Sequence, residues 1–179
     1  MSARPQPAPG RLVRLGVVLP AGTTEDRRRL AAMCELAGID VVWVRNDGEV
    51  AEVAAGVRRL RVLVRPMVDE PWARTVPVSI GRTGAEAAAR IDGDPAFAGP
   101  GDPRRHGVFG TLDECQQAVA RLVRDGVVDL RCVVPTVADV HDVIAQLTAV
   151  AVGDPATHRA DAPRSPDPPA PDWSAGGAR

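Results

Sequence analysis

A chain of 179 residues that is 45% hydrophobic and 25% charged can bury one sizeable core, and its composition is far from that of disordered polymers. A formal net charge of -1 offers no basic field for phosphate-backbone binding, which argues against a nucleic-acid partner. No apolar run approaches the length of a spanning helix and no secretory signal is evident, so the reading is a cytoplasmic protein with no membrane partner.

Residues 1–10, MSARPQPAPG, read as a flexible leader. Leu12 to Pro20 is rich in Val and Leu and ends at Pro-Ala-Gly-Thr, which predicts a first strand. Thr23 or Thr24 then caps a helix whose first turn carries Glu25 and Asp26. Leu30, Met33, Cys34 and Ala37 form its apolar stripe, and Gly38 stands where a left-handed cap is wanted. Ile39 to Val44 predicts a second strand, Glu49 to Arg59 a short amphipathic helix, and the run LRVLVRP a third strand. Asn46-Asp47-Gly48 reads as a turn.

The stretch MVDEPWARTVP has no period and reads as a connection carrying Trp72, followed by a strand from Val76 to Ile80 and an alanine-rich helix. From Asp92 to Gly110 about 20 residues of turn chemistry predict a long loop, of a length that is functional or mobile. Thr111-x-x-Glu114 is a capping box that opens a helix ending at Gly126. The run VVDLRCVVP is the last strand, and Thr136 starts a last helix with the stripe Val140, Val143, Ile144 and Leu147. Residues 153–179, dense in Pro, Ala, Gly and Asp, read as a disordered tail. The expected fold is therefore α/β with a parallel sheet of about five strand-helix units over residues 11–152.

In such a sheet every strand's carboxyl end lies on one edge, where helix N-termini offer unpaired N–H groups. The turn Gly81-Arg82-Thr83-Gly84 is the best phosphate candidate on that edge. Its glycines permit close backbone approach, Thr83 offers a hydroxyl and Arg82 a guanidinium fork. It lacks the lysine of a P-loop and the G-x-G-x-x-G spacing, so an anion site and a plain tight turn both stay open.

No catalytic constellation stands out. His106, His141 and His158 have no ligand partner at i+3 or i+4, so no metal is expected; Arg104-Arg105-His106 reads as a solvated loop. Cys34, Cys115 and Cys132 are scattered within apolar patterns and read as small buried hydrophobes in a reducing compartment. A receiver-like domain would need an aspartate at the end of the third strand, where this chain reads LVRP.

Several phrases, in order, resemble the luciferase-like monooxygenase family. RLGVVLPAG and AGIDVVWV are similar to its opening strand, helix and second strand, and RRLRVLV to its third. VPVSIGRTGAEAAARI resembles its later strand and phosphate-side turn, and GVFGTLDECQQAVARLVRDGVVDLRCVVP its closing unit. The resemblance implies a flavin- or deazaflavin-dependent oxidoreductase on a TIM barrel. FMN or the deazaflavin would be bound through Gly81, Arg82, Thr83 and Gly84, with Pro20 to Gly22 beside them, and a small-molecule substrate would complete the site. A barrel of this class needs at least about 200 residues, and the family's middle strands are missing between Arg65 and Val76. The expectation is thus an incomplete TIM-barrel-like sheet, paired as a homodimer. It is either an oxidoreductase or a fragment that has lost its cofactor and serves as a dimerising or binding module.

Overall fold

The computed structural model describes residues 5–92, 94–98, 102–136 and 140–152. The expected tail, residues 153–179, the first four residues of the leader, and His158 and Asp139 lie outside them. Within them, β1 (Arg14–Val18), α1 (Thr24–Leu36), β2 (Val41–Val44), α2 (Asp47–Ala54) and β3 (Arg61–Val64) alternate. They are followed by β4 (Ala73–Ile80), α3 (Gly84–Ala89), β5 (Val108–Gly110), α4 (Leu112–Arg124), β6 (Asp129–Val133) and α5 (Val140–Val150).

The local chemistry explains the boundaries. Thr23 caps α1 in a full capping box, accepting from the Asp26 amide while Asp26 accepts from Thr23, and Thr111 and Glu114 do the same for α4. Gly38 and Gly126 follow α1 and α4 at φ of 76° and 93°, a conformation that costs glycine nothing. Asn46, expected in a plain turn, is the N-cap of α2, its side chain accepting from the Glu49 amide.

Two expectations about the middle of the chain need correction. β4 begins at Ala73 rather than Val76 and carries Pro77 inside it. Thr75 and Pro77 alternate with Val76, Val78 and Ile80 and face the other side of the sheet, while Arg74, on the core-facing register opposite Leu130, is exposed near the start of the strand. The loop from Asp92 to Gly110 also contains two short 3-10 turns, Pro95–Phe97 and Pro103–Arg105, and the three-residue strand β5.

All six described strands run parallel in the order β3-β2-β1-β6-β4-β5. The closing strand β6 lies beside the opening strand β1 with Arg14 opposite Asp129, the neighbourhood a closing barrel requires. The sheet stays open at β3 and β5, so it is an incomplete, barrel-like parallel sheet.

One face is an apolar core. Leu15, Val17, Val42, Val44, Val76, Val78, Ile80, Leu130 and Cys132 face Leu30 and Cys34 of α1, Val53 of α2, Val119 of α4 and Ile144 and Leu147 of α5. Burying an aliphatic side chain of this size contributes roughly 1.5–3 kcal/mol. The alternate strand positions, among them Arg14, Gly16, Trp43, Leu63, Asp129 and Arg131, point to the other face. There α3 covers the β4 end, where the buried Ser79 hydroxyl donates to the Ala87 carbonyl.

Candidate functional site

Because the sheet is parallel, the turns after all its strands meet on one edge, as the sequence predicts. The Gly81–Gly84 turn leaves the end of β4 there. The Gly81 amide donates to the Gly110 carbonyl at 2.9 Å, tying the turn to the end of β5. A Cβ at Gly81 would stand 2.6 Å from the Ala87 nitrogen and 2.8 Å from the Thr83 oxygen, so only glycine closes this corner. At Gly84 a Cβ would meet nothing within 4 Å, and packing makes no demand for glycine.

Several of the turn's polar groups already have partners. The Thr83 hydroxyl accepts from the Glu86 amide and caps α3. The Glu86 carboxylate reaches back to accept from the Arg82 amide at 2.9 Å and the Arg82 Nε at 3.2 Å, while Arg90 donates to its other oxygen at 3.0 Å. The Arg82 amide, with both guanidinium groups adding to it, holds the Glu86 carboxyl below its usual range. A phosphate seated on this turn would meet a like charge already using two of the donors it needs. As arranged, the turn does not fit the phosphate of a flavin. The spacing Thr83-x-x-Glu86, the same as Thr111-x-x-Glu114, is the sequence signal for this carboxylate, and Arg82 and Arg90 flank it at i-4 and i+4.

Pro20, Ala21 and Gly22 do not adjoin that turn. They line a separate cleft of about 430 Å³ between the carboxyl ends of β1 and β6, together with Pro135, Thr136 and side chains of α1 and α5. Asp94, unmarked by sequence reasoning, is buried close to this edge. It accepts from the Thr136 amide at 2.6 Å, the Thr136 hydroxyl at 2.8 Å and the Ala96 amide at 2.8 Å, which pins the connection after α3 to the end of β6. Asp94-Pro95, a capping residue followed by proline, is the sequence signal for that turn.

A second assembly that spacing did not reveal sits on the charged face. Asp129, fully buried, accepts both arms of a fork from Arg14, at 2.9 and 2.8 Å, and also the Nε of Arg131 at 3.2 Å. Arg131, 1% exposed, goes on to Asp69 at 3.1 Å and Glu70 at 2.7 Å, and its guanidinium lies 4.7 Å from the centre of the Trp43 ring. Every charge in this group has a partner, so it braces the face and holds the 66–72 connection across it.

Acid–base and nucleophilic chemistry is not brought together. His106 and His141 are both exposed and far apart in the fold, and no cluster of His, Cys, Asp and Glu suited to a metal occurs among the described residues. The cysteines are buried and free, as expected. Desolvation pushes the Cys34 and Cys115 thiols up to about 12 and that of Cys132 higher still, so none is a ready nucleophile. Arg104 pairs with Asp92 and Asp102. No described helix is long and apolar enough to cross a membrane. Comparisons with protein-family models, with curated proteins and with solved structures find no match to this chain.

Proposed function

We propose that this chain is a non-catalytic binding module, a shortened luciferase-like barrel fragment that works without a flavin or deazaflavin and pairs with a second copy of itself. The observation that carries this reading is the Glu86 carboxylate. It takes the Arg82 amide and Nε, two donors of the Gly81–Gly84 turn that a cofactor phosphate would use, and sets a negative charge beside the rest. Pairing is favoured by the open β3 edge, with Met67 97% and Val68 78% exposed just beyond it.

The test is a titration of the purified protein with FMN and with the deazaflavin, read by flavin fluorescence, alongside sedimentation equilibrium. The expected result is a colourless dimer that leaves both spectra unchanged at micromolar concentration. A yellow protein, or quenching that Arg82→Ala weakens by roughly tenfold or more, overturns the reading. One observation favours the oxidoreductase instead: the turn stands on the carboxyl edge, where the resemblance puts the cofactor. On that second reading Glu86 swings away when the phosphate arrives, and Glu86→Gln tightens FMN binding.

A further inference from the structure

Strands β1 and β6 are neighbours in the middle of the sheet. From β1 the strands proceed outward through β2 to β3, and on the other side lie β6, β4 and β5. In open α/β sheets, ligands bind outside the carboxyl ends of the strands. The cleft lined by Pro20, Pro135 and Thr136 stands at that place, and its volume of about 430 Å³ is within the range of small-molecule sites.

Its walls have two characters. Leu30 and Met33 of α1 and Val140 of α5 supply an apolar side, with Pro20 beneath. Arg29 and His141, both exposed, supply N–H donors from the two opposing helices. The other charges in the lining are committed. Asp26 is bonded to the Thr23 hydroxyl and amide in the α1 capping box. Arg27, 7% exposed, donates to the Gly22 carbonyl at 2.7 Å and faces Glu49 and Glu52 at 3.8 and 3.5 Å. Arg29 makes no ion pair or hydrogen bond among the described residues; its charge helps hold the nearby Asp26 carboxyl down, but its N–H donors are free to meet a ligand at the cleft.

We propose that this cleft binds a small organic anion, with its carboxylate or phosphate on Arg29 and His141 and its apolar body against Leu30, Met33 and Val140. The proposal rests on the binding-module reading and names the class of ligand that module takes. An inorganic anion would use only the rim, and a neutral apolar molecule only the wall. The pairing of both in one ligand sets the specificity.

The chain's three methionines, Met1, Met33 and Met67, provide the readout. Protein labelled at the methionine methyls is titrated with phenyl phosphate, inorganic phosphate and benzyl alcohol, and followed by NMR. The expected result is a saturable shift of Met33 alone, with phenyl phosphate binding at least about tenfold tighter than either half-ligand. Arg29→Gln, an exposed change on a helix that tolerates glutamine, should weaken it by about tenfold or more, and Arg82→Gln should leave it unchanged. A Met33 signal unmoved at about 10 mM phenyl phosphate, or an affinity indifferent to Arg29→Gln, overturns the proposal. Dependence on Arg82 rather than Arg29 would overturn it too and point to the Gly81–Gly84 turn. FMN binding at that turn with Met33 still responding would sink only the binding-module reading.

Discussion

The two faces of this one sheet are built from alternate residues of the same strands, yet they are held by different forces. Leu15, Val17, Leu130 and Cys132 on one side meet four helices in a dry core, while Arg14, Asp129 and Arg131 on the other meet one another, Trp43 and the 66–72 connection. A complete barrel fills its interior with layers of bulky apolar side chains. A sheet with too few strands to close has no opposing wall to receive them, and the same layers would form a large exposed apolar patch. Here charged side chains satisfy one another beneath the 66–72 connection, which covers Asp129 and Arg131. The polar face lets this open, barrel-like sheet stand without an opposing apolar wall.

The sharpest way to break this comparison is Asp129→Ala. It removes the one carboxylate shared by Arg14 and Arg131, leaving the largely buried Arg14 without its ion-pair partner and Arg131 with only Asp69 and Glu70. The expected loss is roughly 3–5 kcal/mol of unfolding free energy, measured by urea denaturation at pH 7. This matches what Leu147→Ala should cost on the apolar face, about 2–5 kcal/mol. Replacing the buried group together, as Asp129→Leu with Arg14→Leu and Arg131→Met, should recover much of the loss, because the charges that remain, Asp69 and Glu70, reach water. If Asp129→Ala stays within about 1 kcal/mol of the parent, the charged face is not holding the sheet.

A smaller effect is expected at Gly16. On the apolar face the neighbouring residues of β1 are Leu15 and Val17, but Gly16 lies beneath Trp43, and a Cβ there would stand 2.5 Å from the indole nitrogen and 2.7 Å from Val41. Gly16→Ala should therefore cost about 1–3 kcal/mol by overpacking and move the Trp43 ring off the two guanidinium groups. Both the melting temperature and the tryptophan emission should report it. A stable variant with unchanged emission would show that the ring has room to shift.

The two faces also differed in how far the sequence disclosed them. The apolar face is written as period: Val and Leu runs for the strands, stripes at three and four residues for the helices, and two Thr-x-x-acid starts, so the α/β order and the parallel sheet were legible. The polar face has no period of its own. Arg14, Asp129 and Arg131 read as interruptions of strands, and nothing local says that residues 115 apart in the chain form one fork. The first half of β4 reads as a loop because an exposed Arg74 stands at a core-facing register position beside polar Thr75, and β5 is too short to show any alternation. The Gly81–Gly84 turn was placed correctly on its edge. Its filling by Glu86 was missed because the glycines drew attention from a capping spacing three residues on.

The smallest effect separates the faces by pH. Glu70 bridges the 66–72 connection to Arg131. Burial acts to raise its carboxyl, but the hydrogen bond and charge of Arg131 outweigh that, and the group is held below its ordinary value of 4.5. A depressed folded value means that the stabilisation is fully present above the unfolded value and fades as pH falls through the folded one. Between pH 7 and about 5 the pair should contribute steadily, about 1 kcal/mol or less because Glu70 stays one-third exposed, and below about pH 4.5 it should be lost. Glu70→Gln should lower the urea midpoint slightly at pH 7, and that gap should narrow as pH falls below the ordinary value of 4.5, with little change in the slope of the transition. Parallel curves for parent and variant across the whole range would mean that Glu70 holds the connection by shape alone, and that the charge on this face stops at Asp129.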